Sequence, residues 1–253
     1  MREKTVLAID TATENCSVAL SVGGKVFLKS EVAPQKHANL VLSMVDSLLT
    51  ENSVAREDIE AVGFGAGPGS FTGVRIATST AQALALGLDV EVFAVSDLKL
   101  LATPELLDCG DGNAHEDKSY ALCAADARMG EVYYALFEKS GNKVVTVIEE
   151  KVAKPEDAIA DLLTHADKIA SDKLTLAGTG IAILLEAGLK DKISADLLAA
   201  TNKSIEESTL RLYPRADAII YSAMSGDYTL TDPALAEPLY CRNEVTWKKI
   251  GEQ

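Results

Sequence analysis

The sequence predicts a mixed α/β protein with two lobes that are copies of one structural unit. A strand–turn–strand unit opens the chain, and its first strand ends at Asp10. The same order of elements returns later, where an apolar strand ends at Asp126. In both copies a later strand runs into glycines, Gly65 and Gly67 in the first and Gly178 and Gly180 in the second. Internal similarity at so long a period indicates a duplicated domain and not a solenoid.

Hydrophobic patterning gives the elements of the first copy. Short apolar runs between turn residues predict strands, and apolar residues at helical spacing predict helices. The predicted elements are strands at 5–9, 16–22 and 25–30, a helix at 37–50, a strand at 59–64, a helix from 72 to about 87 and a strand at 90–95. The hydroxyl of Ser70 or Thr72 is expected to cap the second helix.

The second copy repeats this pattern. The predicted elements are strands at 120–125, 131–138 and 143–149, a helix that opens at Pro155 and a strand at 174–177. Proline suits the first turn of a helix. The stretch 104–118 is rich in Asp, Gly and Asn, which predicts a loop between the lobes. We therefore divide the chain into a first lobe at 1–104, completed by a helix near 213–226, a second lobe at 105–212 and a C-terminal tail at 227–253.

Two strand–turn–strand lobes, each with an aspartate at the end of its first strand, resemble the actin, sugar-kinase and heat-shock-ATPase (ASKHA) fold. In those proteins the two turns face a nucleotide in the cleft, and their backbone amides point at its phosphates. Asp10 and Asp126 would then face a bound nucleotide. Both side chains have a second interpretation, which is to accept the amides of the turn that follows. The fold by itself does not establish an activity.

The charge of the chain argues against direct nucleic-acid binding. The formal net charge is −14 over 253 residues, and the only basic pair of note is Lys248–Lys249. A protein that binds RNA directly needs a cluster of basic residues to neutralise the phosphates of the RNA backbone. The four cysteines are scattered and form no CxxC pair, which favours a cytoplasmic protein with reduced thiols. The low-charge stretch 74–88 contains Arg75 and several hydroxyl residues, so we expect no membrane span there.

The glycine-rich segment 65–75 matches no standard catalytic loop. It lacks the Gly-Lys-Ser/Thr of a P-loop, and Ser70 stands where the dinucleotide fingerprint has its third glycine. Ser70 also lacks the flanking glycines of a nucleophile elbow. Two interpretations stay open: the glycines let a phosphate or partner approach the backbone, or they permit a tight connection between strand and helix. The three histidines do not have metal-ligand spacing, so the sequence predicts no metal site.

The first two helices carry more apolar surface than we expect one sheet to cover. The helix after the glycines has small residues nearly all round, and the preceding helix has an apolar stripe. A stripe of this kind is usually core, but two adjacent helices with more apolar surface than one sheet can cover indicate a subunit interface. The predicted interface residues are His37, Leu40, Val41, Met44, Val45, Ala77, Ala81 and Leu84. We expect Met44→Glu or Ala81→Arg to abolish complex formation while the chain stays folded.

Five stretches resemble the bacterial TsaB (YeaZ) family and occur in that family's order. They are LAIDTATENCSVAL at 7–20, GPGSFTGVR at 67–75, DARMGEVY at 126–133, AEPLYCRN at 236–243 and WKK at 247–249. Ala66 departs from the pattern, since some relatives have arginine there, and this puts in doubt any role for a positive charge at that position. Residues 181–208 match poorly and support no inference.

The resemblance implies a subunit of the machinery that transfers a threonylcarbamoyl group to adenosine 37 of tRNAs reading ANN codons. In that family the paralogue TsaD carries the metal and the chemistry, and the ATPase TsaE joins the complex. The chain is expected to pair with TsaD through the helices of its first lobe and to form a homodimer when alone. It would reach tRNA only through the complex, without a membrane, catalytic residues or a cofactor of its own, while the assembled complex uses ATP.

The histidine pattern agrees with a non-catalytic role. The paralogue has an HxxxH metal motif, whereas here Val41 stands four residues after His37. Residues of a vestigial phosphate loop are expected at Asp10, Thr11, Gly67, Gly69, Ser70 and Asp126. The alternative is a stand-alone ATPase of the same superfamily that uses Asp10 and Asp126. A metallopeptidase is disfavoured because the histidine pair is missing.

Overall fold

The computed structural model describes residues 1, 3–107, 109, 119–169, 173–193 and 212–241. The strands are β1 (Val6–Asp10), β2 (Asn15–Val22), β3 (Lys25–Val32), β4 (Ala61–Gly65), β5 (Glu91–Val95), β6 (Ser119–Arg128), β7 (Glu131–Ser140), β8 (Lys143–Ala153) and β9 (Lys173–Ala177). The helices are α1 (His37–Glu51), α2 (Phe71–Leu88), α3 (Asp97–Leu106), α4 (Pro155–Leu163), α5 (Ala166–Ile169), α6 (Ile181–Glu186), α7 (Leu189–Lys192) and α8 (Ala216–Met224).

The strands form two sheets with the same topology. The first sheet has the order β3-β2-β1-β4-β5 and the second has the order β8-β7-β6-β9. In each sheet the first strand pairs antiparallel with the strand after it and parallel with a later one, β4 or β9. The predicted duplication is therefore confirmed for four strands of each lobe.

The helices and sheets stack in five layers. Helices α1 and α2 pack on the outer face of the first sheet, and α4 and α6 pack on the second. Helices α3 and α8 lie between the sheets: Leu100 and Ile219 contact the first, while Leu101 and Leu106 contact the second. Alternating helical layers around two sheets of this topology confirm the predicted actin-like fold with two duplicated lobes.

The C-terminal part of the described chain returns to the first sheet. Helix α8 forms within the predicted stretch 213–226 and packs on β1, β2 and β4. The chain then follows the first lobe: Val92 exchanges backbone hydrogen bonds with Thr231, and Leu239 N–H donates to the Ala66 carbonyl oxygen at 2.7 Å. Much of the stretch predicted as a tail is thus in contact with α2, β4 and β5. The lobe boundaries themselves stay predictions.

Helix α3 is the main difference from the sequence prediction. It runs through Pro104 to Leu106, so the predicted loop at 104–118 begins too early. The rest of that loop lies outside the described residues, apart from Leu107 and Cys109. Nearly every side chain of α3 is buried, so it lacks the polar face that marks a surface helix. The other predicted elements agree with the structure to within about four residues at their ends.

In the parts of the chain that the structure describes, every helix is too short or too polar to cross a lipid bilayer.

Candidate functional site

Asp10 ends β1 and caps the turn that follows it. Its side chain is fully buried, and Oδ1 accepts the Ala12 N–H at 2.8 Å. Thr11 and Ala12 are also without solvent exposure. The structure therefore supports the second interpretation of this aspartate, which is to hold the turn.

The glycine segment covers this turn. Ser70 N–H donates to the Ala12 carbonyl oxygen at 2.7 Å, and Thr11 Oγ1 donates to the Gly73 carbonyl oxygen at 2.7 Å. A Cβ atom on Gly69 would overlap with the Ala12 carbonyl oxygen, and one on Gly73 would overlap with that of Thr11. The glycines are thus required by the close approach of two backbone segments.

Ser70 is the residue that caps α2. Its Oγ accepts the Gly73 N–H at 3.4 Å, whereas Thr72 lies inside the first helical turn. At Gly67 the backbone has φ = 100°, which disfavours any residue with a side chain. The backbone conformation at position 67 therefore favours glycine. Of the two residues predicted to cap α2, Ser70 is the correct one.

The second lobe repeats the arrangement at Asp126. Its Oδ1 accepts the Arg128 N–H at 2.7 Å. A Cβ atom on Gly178 would overlap with the Ala124 carbonyl oxygen, which also accepts the Gly180 N–H at 2.9 Å. The bond from the aspartate to its turn is thus repeated, whereas the glycine contacts differ: Gly69 and Gly73 approach the residues after Asp10, and Gly178 approaches a residue before Asp126.

An ion pair joins the two turns across the cleft. Arg128 lies 3.1 Å from Asp126 and 3.6 Å from Glu14, on the opposite lobe. The Arg128 side chain is 76% exposed, so water screens this pair and its contribution to stability is small.

Asp97 is a residue of this region that the sequence analysis missed. It is the first residue of α3, it is buried beside Asp10, and its N–H donates to the Gly67 carbonyl oxygen at 2.8 Å. Gly67 N–H donates in return to Asp97 Oδ2. The sequence signal was available, because Ser96-Asp97 directly after a strand is a typical helix start, and Ser96 Oγ does accept the Lys99 N–H.

Burial dominates the electrostatics of these two carboxyls. It raises the pKa of Asp10 to about 6, against the lowering effect of the turn amides. Burial, together with the negative charge of Asp10, raises the pKa of Asp97 well above its usual value. Among the described residues no group of three or more His, Cys, Asp or Glu side chains could hold a metal ion.

A surface groove lies between α1 and α2. Its volume is about 390 Å³, and an ion pair between Asp46 and Arg56 at 2.7 Å lies on its wall. Leu42 is 53% exposed at the groove, and Leu86 nearby on α2 is 57% exposed. Its other lining residues include Leu49, Ala83, Leu84, Gly87 and Leu88. The groove is mainly apolar and open to solvent, with one ion pair on its wall.

The opposite end of α2 carries an exposed aromatic cluster. The Arg75 guanidinium lies 3.5 Å from the Phe71 ring centroid, and Arg75 Nε donates to Tyr240 Oη at 3.1 Å. Both aromatic rings are largely exposed. The exposed positions Phe71, Arg75, Ser79, Ala83 and Leu86 lie at helical spacing, so one face of α2 connects this cluster with the groove.

Comparison with known proteins gives the family. A family model described as "TsaD: tRNA N6-adenosine threonylcarbamoyltransferase" matches residues 25–250. A relative from Escherichia coli K12, named tRNA threonylcarbamoyladenosine biosynthesis protein TsaB, is 35% identical over 247 residues, which cover 97% of both chains. A protein of the same name from Haemophilus influenzae is 32% identical over 260 aligned positions, which cover 99% of this chain and 98% of its own. This chain belongs to the TsaB family.

A solved structure agrees with this assignment. YeaZ from Pseudomonas aeruginosa is 31% identical, and the match has a TM-score of 0.70 over 94% of this chain and 99% of that one. The resemblance to the TsaB (YeaZ) family that the sequence motifs indicated is therefore confirmed.

In this TsaB-family chain most of the predicted interface residues are not on the surface. Leu40 and Leu84 are partly exposed, but the others pack into the core of the first lobe. The buried positions are His37, Val41, Met44, Val45, Ala77 and Ala81. The first sheet covers most of these side chains, while Val45 also lines the groove between α1 and α2, and contact of the predicted set with a partner stays a prediction. Met44→Glu and Ala81→Arg would therefore place charges in the core and disturb folding.

Proposed function

We propose that this chain is a non-catalytic subunit of the machinery that makes threonylcarbamoyladenosine at position 37 of tRNAs reading ANN codons. The observation that carries this proposal is the packing of Ser70 and Gly73 onto the turn after β1. In the actin-like fold this turn would offer its amides to nucleotide phosphates. Here the Ala12 amide is taken by Asp10, and Thr11 and Ala12 are buried. The phosphate loop is vestigial, and the chain has no catalytic residues or cofactor of its own.

The surface to which we assign the function is the exposed face of α1 and α2. Leu42 and Leu86 expose large apolar groups there at or near the groove, and Phe71 does so at the opposite end of α2. Exposed apolar patches of this kind mark interaction sites, and aromatic and arginine side chains often dominate binding energy. Each Å² of apolar surface buried there contributes about 25 cal/mol before the cost of association is subtracted.

The partner we assign to this face is a TsaD-like paralogue. The match of a TsaD family model to residues 25–250 supports a common fold for the two proteins. Paralogues of one fold can pair through equivalent faces, as two copies of one chain do in an isologous dimer. The same face would therefore form a homodimer when the paralogue is absent.

The remaining parts of the machinery are assigned to other subunits. A TsaE-like ATPase joins the complex, and the assembled complex uses the ATP. With a net charge of −14, this chain reaches tRNA only through its partners. We place the complex in the cytoplasm, where tRNA is modified.

The test is co-purification with the TsaD-like paralogue of the same organism. Leu42→Glu and Leu86→Glu change exposed side chains, so both variants should fold, and we expect them to lose co-elution in size-exclusion chromatography with light scattering. Val145→Glu is the matched control, because Val145 is also exposed but lies on β8 of the second lobe. A complex that forms equally well with Leu86→Glu would contradict the proposed interface.

The stand-alone ATPase is tested separately. We expect no ATP hydrolysis by the purified chain and no heat of ATP binding in calorimetry. Hydrolysis that is lost in Asp10→Asn would refute the non-catalytic assignment, whatever the result of the co-purification.

A further inference from the structure

Two carboxyl groups meet in the interior where β1, the glycine segment and the start of α3 come together. Asp10 and Asp97 are both buried, with no more than 2% of either residue exposed. A Cβ atom placed on Gly65 would lie 2.9 Å from an oxygen of each carboxyl. The two groups therefore approach each other over a residue that has no side chain to separate them.

Each of the two carboxyls has one oxygen that accepts from a backbone N–H and one oxygen that does not. Asp10 Oδ1 accepts from Ala12 N–H, and Asp97 Oδ2 accepts from Gly67 N–H. Asp10 Oδ2 and Asp97 Oδ1 are buried without a hydrogen-bond partner among the described atoms. A buried acceptor without a donor is costly, so each of the two adjacent carboxyls is expected to gain a donor or to carry a proton.

Nearby charges offer no cation to neutralise the pair. None of the ion pairs found among the described residues includes Asp10 or Asp97. Other titratable groups close enough for an electrostatic effect include Glu150 on β8, whose charge raises the pKa of Asp97, and the Cys16 thiol on β2, whose pKa the charge of Asp10 raises. Lys99 on α3 pairs with Asp227 and lies near Glu150. Two buried carboxylates without a cation cannot both stay ionised.

We propose that Asp97 is protonated at neutral pH and donates its proton to the Asp10 carboxylate, so that the unpaired Asp97 Oδ1 becomes a donor. The two carboxyls between the turn and α3 thus share one proton. Raised pKa values at both groups, caused mainly by burial, agree with this assignment.

The shared proton has a structural purpose. Asp97 binds both the N–H and the carbonyl oxygen of Gly67, and through the proton it also binds Asp10 at the end of β1. The pair thus joins β1, the glycine segment and α3. Loss of the proton would leave two negative charges in contact and weaken this junction.

The direct test is the carboxyl ¹³C NMR spectrum of the intact chain with labelled aspartate. At neutral pH we expect one aspartate carboxyl with the chemical shift of the protonated form, and we expect that signal to be absent in Asp97→Asn. A spectrum in which every aspartate is ionised at neutral pH would overturn the proposal. This measurement on the native chain does not depend on whether any variant folds.

Urea unfolding of variants supplies a second test. In Asp97→Asn the side-chain N–H₂ can donate to Asp10 at every pH, while the side-chain oxygen accepts from Gly67 N–H. We therefore expect this variant to unfold at the same urea concentration as the native chain at neutral pH. Asp97→Ala removes both the bond to Asp10 and the bond to Gly67. Its urea midpoint should therefore fall by about 1 M, as expected for the loss of a buried hydrogen-bond network. An Asn variant as unstable as the Ala variant would contradict the shared proton.

Magnesium distinguishes a proton from a divalent cation. We expect millimolar Mg²⁺ to leave the unfolding midpoint of the native chain unchanged. A midpoint that Mg²⁺ raises in the native chain but not in Asp97→Asn would show that the carboxyls hold a cation and would overturn the proposal.

Discussion

The N–H of Ser70 donates to the carbonyl oxygen of Ala12 at 2.7 Å, and this bond closes the glycine segment over the turn after β1. The contact joins the start of α2 to the end of the first strand. It also removes the Ala12 carbonyl and the surrounding backbone from solvent. The motif that suggested a phosphate site in the sequence is therefore an internal packing motif in this chain.

The first prediction concerns the glycines of that motif. Gly73→Ala should lower the free energy of unfolding by about 1–3 kcal/mol, because the new Cβ would overlap with the Thr11 carbonyl oxygen. Urea denaturation followed by circular dichroism measures this change. The control is Gly87→Ala on the same helix, where a Cβ would contact nothing; helix propensity predicts a gain of about 0.5–1 kcal/mol. Equal stabilities of the two variants would contradict the packing described here.

The second prediction concerns the completion of the first lobe by α8. Ile219 is fully buried against the first sheet, so Ile219→Ala should cost about 2–5 kcal/mol through lost apolar burial and a cavity. Leu212→Ala is the matched control, since Leu212 is 40% exposed and should change stability by less than about 0.5 kcal/mol. The same urea experiment measures both. A negligible effect of Ile219→Ala would show that α8 does not belong to the core of the first lobe.

The third prediction concerns the reactivity of a buried thiol. Burial, with a smaller contribution from the charge of Asp10, raises the pKa of Cys16 to about 11. A raised thiol pKa keeps the neutral form in the folded chain, so this contribution to stability is present below the ordinary thiol pKa and is lost as pH rises through about 11. At about pH 8, iodoacetamide should label Cys16 in the native chain far more slowly than in the urea-unfolded chain. Peptide mass spectrometry measures the rates, and equal rates would refute the prediction.

The fourth prediction concerns the ion pair that crosses the cleft. Arg128→Ala removes the contacts with Asp126 and Glu14, but all three side chains are partly exposed. The free energy of unfolding should change by less than about 1 kcal/mol. Added salt should change this difference between the variant and the native chain only slightly. A larger loss in urea denaturation would mean that this pair holds the lobes together.

The sequence was sufficient for the strands and for the duplication. Asp10 and Asp126 could be aligned because each follows a short apolar strand, and the strand order in both sheets agrees with that alignment. Helix α3 could not be found in the same way, because its polar residues are spread around the helix and are mostly buried, and Pro104 interrupts the pattern. Asp97 was missed with it, since its importance depends on proximity to Asp10 in space.

The interface prediction shows a different limit of sequence patterns. Periodicity correctly identified the apolar stripe of α1 that contains Val41 and Met44, but such a stripe normally packs on the protein's own sheet. The residues available to a partner are apolar side chains at other helical positions, such as Leu42 and Leu86. Only the structure tells which side of each helix the sheet occupies.

The position of α8 affects the order in which the chain can fold during synthesis. The inner face of the first sheet, with Ala8 and Phe93, is covered by a helix that is translated about 120 residues after β5. At about 5–20 residues per second, a ribosome needs roughly 6–24 s to make the intervening polypeptide. During that interval the apolar part of the first sheet that α8 covers in the folded chain is exposed, so we expect general chaperones to bind this chain until α8 leaves the ribosome.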